Sequence, residues 1–345
     1  MATDQKGIPM IRGLLLGVLL MGAGQAHAQL SGFDNRDYHR ADSVAALYQG
    51  EDLTNLPILA HKLTADLPSE LEKFRAIYTW VATNIENDYG YYLRNKQKRK
   101  KLLHRPAELK AWNEEFRSKV FKKLLKEQST ICTGYAYLVR ELANFAGIDC
   151  HIIDGYGRTA EANVGGQGIP NHSWNAVRLN NKWYLCDATW SSGSIDPQKK
   201  SFVRNYNDGY FLAAPELFAR NHYPLDSAWL LTDTQPTLQA FLEGPLVYKH
   251  AFSHQLQPIA PATLQVPAKK SEVFVLTLKT AKNADVNQLT LELKRGKDSR
   301  TVKPEVNQVG DELYELHYSF KQRGKYDVHL KSGKDYIVTY TLNVK

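Results

Sequence analysis

The sequence predicts an α+β fold that is followed by an Ig-like antiparallel β-sandwich. Two observations support this fold class. Apolar residues recur at helical spacing in the first half, and residues 271–345 contain five short alternating strands, EVFVLTLKT, QLTLELKRG, ELYELHYSF, KYDVHLKS and DYIVTYTLNV. A chain of 345 residues is long enough for two domains. We place them at residues 29–245 and 246–345, after a targeting segment at residues 1–28.

The first 28 residues have the pattern of a signal peptide. Lys6 and Arg12 precede the apolar run LLLGVLLMGAG, and Ala26-His27-Ala28 supplies small residues for cleavage. The run is too short to span a membrane. We therefore expect an exported protein, periplasmic or secreted, with no transmembrane segment in the mature chain.

Two helical regions come next, at residues 41–67 and 72–85, and we expect them to pack without taking part in chemistry. Residues 94–126 are strongly basic and contribute to a pI near 9.1. Export and the absence of stacking aromatic residues within KQKRKK argue against a nucleic-acid partner. We interpret this basic segment as a solvated helical connector that could attract anionic partners, such as envelope components.

Cys132 stands at the start of the next predicted helix, which ends near Ala146-Gly147. The free amides and positive dipole end of a helix stabilise a thiolate and lower its pKa. A buried structural cysteine gains nothing from that position. Cys132 is therefore a candidate nucleophile.

His172 and Asp187 flank a predicted β-hairpin that turns at residues 180–182. The strands run over Ser173–Leu179 and Trp183–Thr189, and the pairing brings residue 187 back beside residues 174–176. An ionised carboxylate in an apolar strand needs a partner. Attack on an amide by a thiol requires a thiolate, a base and a group that orients the base, and the three side chains supply these residue types.

The strings around Cys132, His172 and Asp187 resemble the core of the transglutaminase-like superfamily, which is papain-like in plan. They are most similar to the kyphoscoliosis peptidase branch and its bacterial relatives. The resemblance extends over residues 40–235, through KFRAIYTWVATNIENDY upstream and YFLAAPELFARNHYPLDSAWLL downstream. It implies Cys132 as nucleophile, His172 as general base and then acid, and Asp187 as the orienting carboxylate.

The stabiliser of the oxyanion has two candidates. The backbone N–H of Cys132 is one, and the side-chain amide of Gln128 is the other, although Gln128 could equally be an ordinary surface residue. We expect Trp174 and Asn175 to wall and brace the site. Plain core packing is an equal alternative for Trp174.

The remaining cysteines, Cys150 and Cys186, could form a disulfide in an oxidising compartment or could both stay reduced. No cluster of His, Cys and Asp shows metal-ligand spacing, so we expect no metal and no cofactor. The β-sandwich has no candidate nucleophile. We assign it a binding or positioning role, and Gly324-Lys325-Tyr326 resembles a tyrosine corner.

These observations predict a secreted thiol enzyme that acts on peptide or side-chain amide bonds through a Cys132 thioester. A peptidase or amidase is the first choice, with a protein or peptide as substrate. The alternatives are a protein-crosslinking transglutaminase, which transfers the acyl group to an amine, and a non-catalytic scaffold that binds envelope proteins.

Overall fold

A computed structural model describes residues 37–345 except residues 197 and 282–284. The predicted signal peptide lies outside the described residues. The α-helices of the described part are α1 (His39–Leu47), α2 (Leu56–Thr64), α3 (Glu70–Asn84), α4 (Tyr89–Lys101), α5 (Pro106–Glu127), α6 (Cys132–Phe145), α7 (Ala188–Ser192), α8 (Pro215–Phe218), α9 (Leu238–Glu243) and α10 (Lys249–Ser253). Within this part, no helix is both long enough and apolar enough to cross a membrane.

The strands of the first half are β1 (Glu86–Asn87), β2 (Ser129–Thr130), β3 (Cys150–Gly157), β4 (His172–Leu179), β5 (Lys182–Cys186), β6 (Gly193–Asp196), β7 (Ser201–Arg204), β8 (His222–Pro224) and β9 (Leu246–Val247). Those of the second half are β10 (Leu256–Ala260), β11 (Gln265–Ala268), β12 (Val273–Thr280), β13 (Leu289–Arg295), β14 (Asp298–Val302), β15 (Glu305–Gly310), β16 (Leu313–Ser319), β17 (Gly324–Ser332) and β18 (Asp335–Val344).

Helix α3 is the centre of the helical layer. Ser69 begins it by accepting the backbone N–H of Glu72 at 3.2 Å, while the Glu72 carboxylate accepts the Ser69 hydroxyl at 2.6 Å. Its large apolar side chains are fully buried, and each contributes about 1.5–3 kcal/mol by leaving water; they include Phe74, Ile77, Tyr78 and Trp80. Helix α6 packs against this core.

The first half contains an antiparallel sheet in the order β5-β4-β3-β8, and α6 packs on it through β3 and β4. Asn180 and Asn181 both have positive φ values, of 49° and 62°, as the predicted turn requires. The second predicted strand ends earlier than expected. It stops at Cys186 because Asp187 caps α7, so residues 188–192 are helical.

The basic segment of the sequence forms α4 and α5. Helix α4 buries no residue completely, whereas α5 buries Phe116, Val120 and Leu124 along one side. The two helices lie between α3 and α6 along the chain, so Cys132 follows α5 after only β2 and Ile131. The basic side chains of α4 are mostly exposed.

The C-terminal residues form a β-sandwich, which confirms the predicted fold class. One sheet has the order β10-β12-β16-β15, and the other has the order β11-β18-β17-β13-β14, with β9 on β18. All pairings are antiparallel except that of β11 with β18. The Tyr326 hydroxyl donates to the Gln322 carbonyl at 3.1 Å, which is the bond of a tyrosine corner.

Packing crosses the predicted domain boundary at residue 245. One continuous buried cluster includes Trp174 and Phe218 from the first half together with Leu276 and Leu330 from the sandwich. The buried Arg158 guanidinium donates to the carbonyls of Leu242, Gly244 and Pro245. The boundary therefore stays a prediction, but the two halves share a core.

Candidate active site

Cys132 is the first residue of α6, and Ile131 enters the helix in an extended conformation. Among the described residues no side chain caps this helix end, and the backbone N–H of Gly134 donates to the Ile131 carbonyl at 2.8 Å. Helix α6 approaches β2 closely at Gly134. A Cβ on Gly134 would lie 1.9 Å from Thr130 Oγ1, so only glycine fits there. The Cys132 side chain is partly exposed, as an attacking thiol requires.

His172 is the first residue of β4, and its side chain lies beside Cys132. Its Nε2 atom lies 2.7 Å from Asp187 Oδ2, and its imidazole interacts with the Cys132 thiol so that the pKa of His172 is raised and that of Cys132 is lowered. Because Nε2 serves the carboxylate, Nδ1 is the nitrogen available to sulfur. The indole of Trp190 stacks on the imidazole, with ring centroids 4.8 Å apart. The structure therefore brings the side chains of Cys132, His172 and Asp187 together, and their catalytic roles stay a prediction.

Asp187 is fully surrounded by donors. Its Oδ1 atom accepts the backbone N–H groups of Thr189 and Trp190 at 2.8 and 3.2 Å, because Asp187 is the N-cap of α7. Oδ2 accepts from His172 and from His222, whose Nε2 atom is 3.1 Å away. The carboxylate is thus held in position by side chains of β4 and β8 and by the first amides of α7.

His222 is a member of the site that no pattern in the sequence singled out. It begins β8, which pairs with β3, and its ring stacks on Phe218 at a centroid distance of 3.9 Å. Its Nδ1 atom lies 2.7 Å from the Asn221 side-chain amide, which also contacts the Tyr210 hydroxyl at 3.1 Å. The only local signal is the string Asn-His within a segment that already carried the family resemblance.

Charges in the site favour an ion pair. Burial by itself raises the pKa of the Cys132 thiol, but the hydrogen bond and charge of His172, with the backbone N–H of Ser173, bring that pKa below its usual value. Burial likewise opposes the imidazolium form of His172, yet Asp187 and the thiolate together raise the pKa of His172 to about 10. The arrangement therefore stabilises a thiolate and an imidazolium together.

The carboxylate and the second imidazole complete this charge pattern. Burial opposes ionisation of Asp187, but the charges and hydrogen bonds of His172 and His222 hold its pKa well below the usual range. Burial lowers the pKa of His222 to about 4, against the attraction of Asp187. The Nε2 atom of His222 lies 3.1 Å from Asp187 Oδ2, and its Nδ1 atom lies 2.7 Å from the side-chain oxygen of Asn221.

Three further predicted site residues lie as follows. Gln128 ends α5 in a left-handed conformation, and its Nε2 atom donates to the Glu51 carbonyl at 2.6 Å, so its amide is engaged away from the oxyanion position proposed for it. Asn175 donates to the Ala136 carbonyl at 2.9 Å and so ties β4 to α6. Trp174 is buried in the core shared with the sandwich, edge-on to His222. Their roles in catalysis stay predictions.

Asp154 on β3 is a second carboxylate near β4, and its side chain has a different partner. Its Oδ1 atom accepts the Ser173 hydroxyl at 2.6 Å, on the strand next to His172. The carboxylate that contacts the imidazole is that of Asp187.

Cys150 and Cys186 are reduced and buried. Cys150 lies on β3 opposite Val177, whereas Cys186 lies on β5 opposite Asn175, so β4 separates them. Strands two apart are about 9.6 Å from each other, and a disulfide needs Cα atoms within about 7 Å. Of the two alternatives for this pair, the structure supports reduced thiols.

The ligand atoms of His172, Asp187 and His222 lie within 4.8 Å of one another, a spacing that a metal could also use. Each of these atoms already has a hydrogen-bond partner within the group. Arg99 of α4 lies close by: burial lowers the pKa of its guanidinium, and the charges of Cys132 and Asp154 oppose that shift. Arg99 also donates to the Pro170 carbonyl and to the Asn113 side chain.

Comparison with known proteins relates part of this chain to a family. A family model described as the transglutaminase-like superfamily matches residues 58–188. The chain is 30% identical to the kyphoscoliosis peptidase of Mus musculus over 221 residues, which cover 64% of this chain and 30% of that protein. It is 24% identical to hillarin of Drosophila melanogaster over 236 residues, or 65% of this chain and 26% of hillarin.

The chain thus spans less than a third of the length of these two relatives. Among solved structures, the filamin domain of Lin-41 aligns with 30% of this chain and 97% of its own, at 13% identity and a TM-score of 0.22. The family match covers the segment from α2 to the start of α7, and it contains Cys132, His172 and Asp187. Residues 58–188 of this chain therefore belong to the transglutaminase-like superfamily.

Proposed function

We propose that this protein is a thiol enzyme that hydrolyses peptide or side-chain amide bonds. The observation that carries this proposal is the 2.7 Å contact between His172 and the buried, ionised Asp187, together with the interaction of His172 with Cys132 that lowers the pKa of the thiol. Burying an imidazole between a thiol and a carboxylate costs free energy unless each polar group has a partner. A protein without activity gains nothing from this arrangement.

The proposed reaction has two steps. The Cys132 thiolate attacks the amide carbon, and the developing oxyanion accepts the N–H of Cys132 at the start of α6. His172 then gives its proton to the leaving amine, the C–N bond breaks, and a thioester remains. In the second step His172 takes a proton from water and the hydroxide attacks the thioester carbon. The C–S bond then breaks, the acid product leaves, and Cys132 is restored as the thiolate beside protonated His172.

The runner-up is acyl transfer to a primary amine, which would crosslink proteins. The two reactions share the thioester and differ only in which nucleophile enters second. Hydrolysis ranks first because the relatives that match over the same residues include proteins named as peptidases. A scaffold without activity is the remaining alternative, and it predicts an unreactive Cys132.

We place the protein outside the cytoplasm, on the basis of the signal-peptide pattern at residues 1–28. N-terminal sequencing of the protein recovered from the periplasm or medium should begin at Gln29. Recovery of the protein only inside the cell with Met1 retained would reject this placement.

The partners we propose are proteins or peptides with acidic character, including anionic envelope components. Support comes from Arg99, whose charge interacts with that of Cys132, and from the exposed basic side chains around it on α4. Hydrolysis of an acidic peptide should fall more steeply with added salt than hydrolysis of its neutral analogue. Equal salt dependence of the two would remove this part of the proposal.

Selective alkylation tests the function directly. Iodoacetamide at pH 6.5 should label Cys132 and leave Cys150 and Cys186 untouched, because burial raises the pKa of both of those thiols. Peptide mass spectrometry of the folded protein gives the labelled positions. Labelling of Cys132 only after denaturation would favour the scaffold.

Activity is then measured on a library of fluorogenic peptides, with and without a fluorescent primary amine. The Cys132→Ala variant should lose turnover, whereas the control Cys150→Ala should keep it, since Cys150 lies in the core beside Val177. Release of product without amine incorporation supports hydrolysis. Dominant incorporation of the amine would assign the chain to the transferases instead.

A further inference from the structure

A second group of potential ligands lies away from the active site, at the junction of the two halves. His250 is in α10 and His254 immediately follows that helix, so the two imidazoles are spaced i, i+4. Asp335 is the first residue of β18. Its Oδ2 atom is 3.5 Å from His250 Nδ1 and 3.0 Å from His254 Nε2, and the three ligand atoms lie within 4.8 Å of one another.

We propose that His250, His254 and Asp335 form a Zn²⁺-binding site. Ligand atoms 2.0–2.1 Å from a tetrahedral zinc ion are about 3.3 Å from each other, and the two measured His–Asp distances bracket this value. Two imidazoles at i, i+4 with one carboxylate form a common zinc set, which leaves the fourth position for water.

Exposure fits this use. The three side chains are 29%, 37% and 24% exposed, so the ligands are partly fixed by the protein and one side is open to an entering ion. The charges of Lys249 and Lys334 act on His250 and oppose a cation. We therefore expect them to weaken the affinity for the ion.

The site would connect elements that carry the active site. Phe252 of α10 packs on the ring of Tyr210, with centroids 4.3 Å apart, and a Cβ on Gly209 would lie 2.6 Å from Phe252 Cβ. The carbonyl of Tyr210 accepts the backbone N–H of Asp187 at 3.1 Å. A metal ion bound by α10 and β18 would therefore stabilise the helix that packs against Tyr210, next to Asp187.

The sequence led us to expect no metal. Asp335 is 81 residues away from His254, and only the pairing of β18 with its neighbours and the packing of α10 bring them together. The two histidines alone are an ordinary helical spacing. The third ligand is a result of the tertiary fold.

Zinc chloride titrated into the full chain tests the proposal, with any affinity tag removed. The Cys132→Ala background excludes binding by the thiol. Calorimetry should show one Zn²⁺ per chain, and a free-zinc concentration of one hundred times Kd should raise Tm by about 5 °C. On the same background, His254→Ala and Asp335→Asn should each weaken binding at least tenfold.

His317→Ala is the matched control, because His317 also pairs with one carboxylate, Glu315, at 2.9 Å but belongs to no potential metal-binding group among the residues that the structure describes. It should keep the affinity unchanged. Circular dichroism of each variant checks the fold, and His250→Ala replaces Asp335→Asn should that variant unfold. No binding below millimolar zinc, or equal affinity in the ligand and control variants, would overturn the site.

Discussion

Replacing His222 with phenylalanine tests whether the second imidazole helps Asp187 to orient His172. The substitution keeps an aromatic ring of similar size against Phe218, where the stacking distance is 3.9 Å. It removes the hydrogen bond to Asp187 Oδ2 and leaves the Asn221 amide without its partner on that side. Packing is thus conserved while one donor to the carboxylate is lost.

The expected effect follows from that bond. A hydrogen bond to a charged group contributes about 1.5–3 kcal/mol, and about 1.4 kcal/mol corresponds to a factor of ten in rate. If the bond acts fully in the transition state, kcat/KM should fall about 10- to 150-fold. His172 and two backbone N–H groups still hold Asp187, so the loss should remain smaller than that of His172→Ala.

The assay pairs kcat/KM on a peptide substrate with the rate at which iodoacetamide modifies Cys132 as a function of pH. His222→Gln should recover most of the activity, because an amide N–H can reach Asp187 from the same backbone position. Tyr210→Phe is the control. It removes only the hydroxyl on Asn221 and should change kcat/KM by less than a few-fold.

A purely structural His222 gives a different pattern. Phenylalanine and glutamine would then lower Tm to differing extents but leave the kinetics and the alkylation profile of the folded protein alike. Wild-type kcat/KM in His222→Phe would refute the reasoning, as would a loss equal to that of His172→Ala.

Three further outcomes are expected. Asp187→Asn should reduce kcat/KM strongly while Asp154→Asn changes it little, and steady-state kinetics with the reverse order would show that the orienting acid is misassigned. The rate of Cys132 alkylation should fall as the pH drops through the lowered pKa of the thiol. The raised pKa of His172 should stabilise the folded protein fully below the unfolded pKa near 6.5, and this stabilisation should be lost as the pH rises through about 10. Denaturant melts at several pH values measure this change in the free energy of unfolding. A chain that ends at Pro245 should have a lower Tm and little activity even on small amides, because it lacks Phe252 against Tyr210; full activity with a native circular dichroism spectrum would contradict the shared core.

Much of the fold could be predicted from local periodicity. The helix at Cys132, the hairpin after His172 and the five apolar strands of the sandwich occur close to their predicted bounds. Strands β14 and β15 were not predicted, because they are largely exposed and lack alternating apolar residues. The end of β5 was misplaced because Asp187 serves as a helix cap rather than as a strand residue.

The candidate site was only partly visible in the sequence. Cys132, His172 and Asp187 could be found because a helix start and a hairpin place each of them by local rules. His222 could not, since its contact with Asp187 depends on β8 returning to the far side of β3. Gln128 could not be located either, because its left-handed backbone and its bond to Glu51 depend on how α5 ends.

The sequence by itself determined the elements: which segments are helical, which alternate, and which residue types carry nucleophile, base and acid. Only the tertiary structure decided which distant segments meet. It brings His222 to Asp187 and His254 to Asp335, and it places β4 between Cys150 and Cys186. It also brings Arg99 close enough to Cys132 for their charges to interact. The physical reason is that helical and strand periodicity arises from near neighbours. The pairing of distant strands depends on the core that the whole chain buries together.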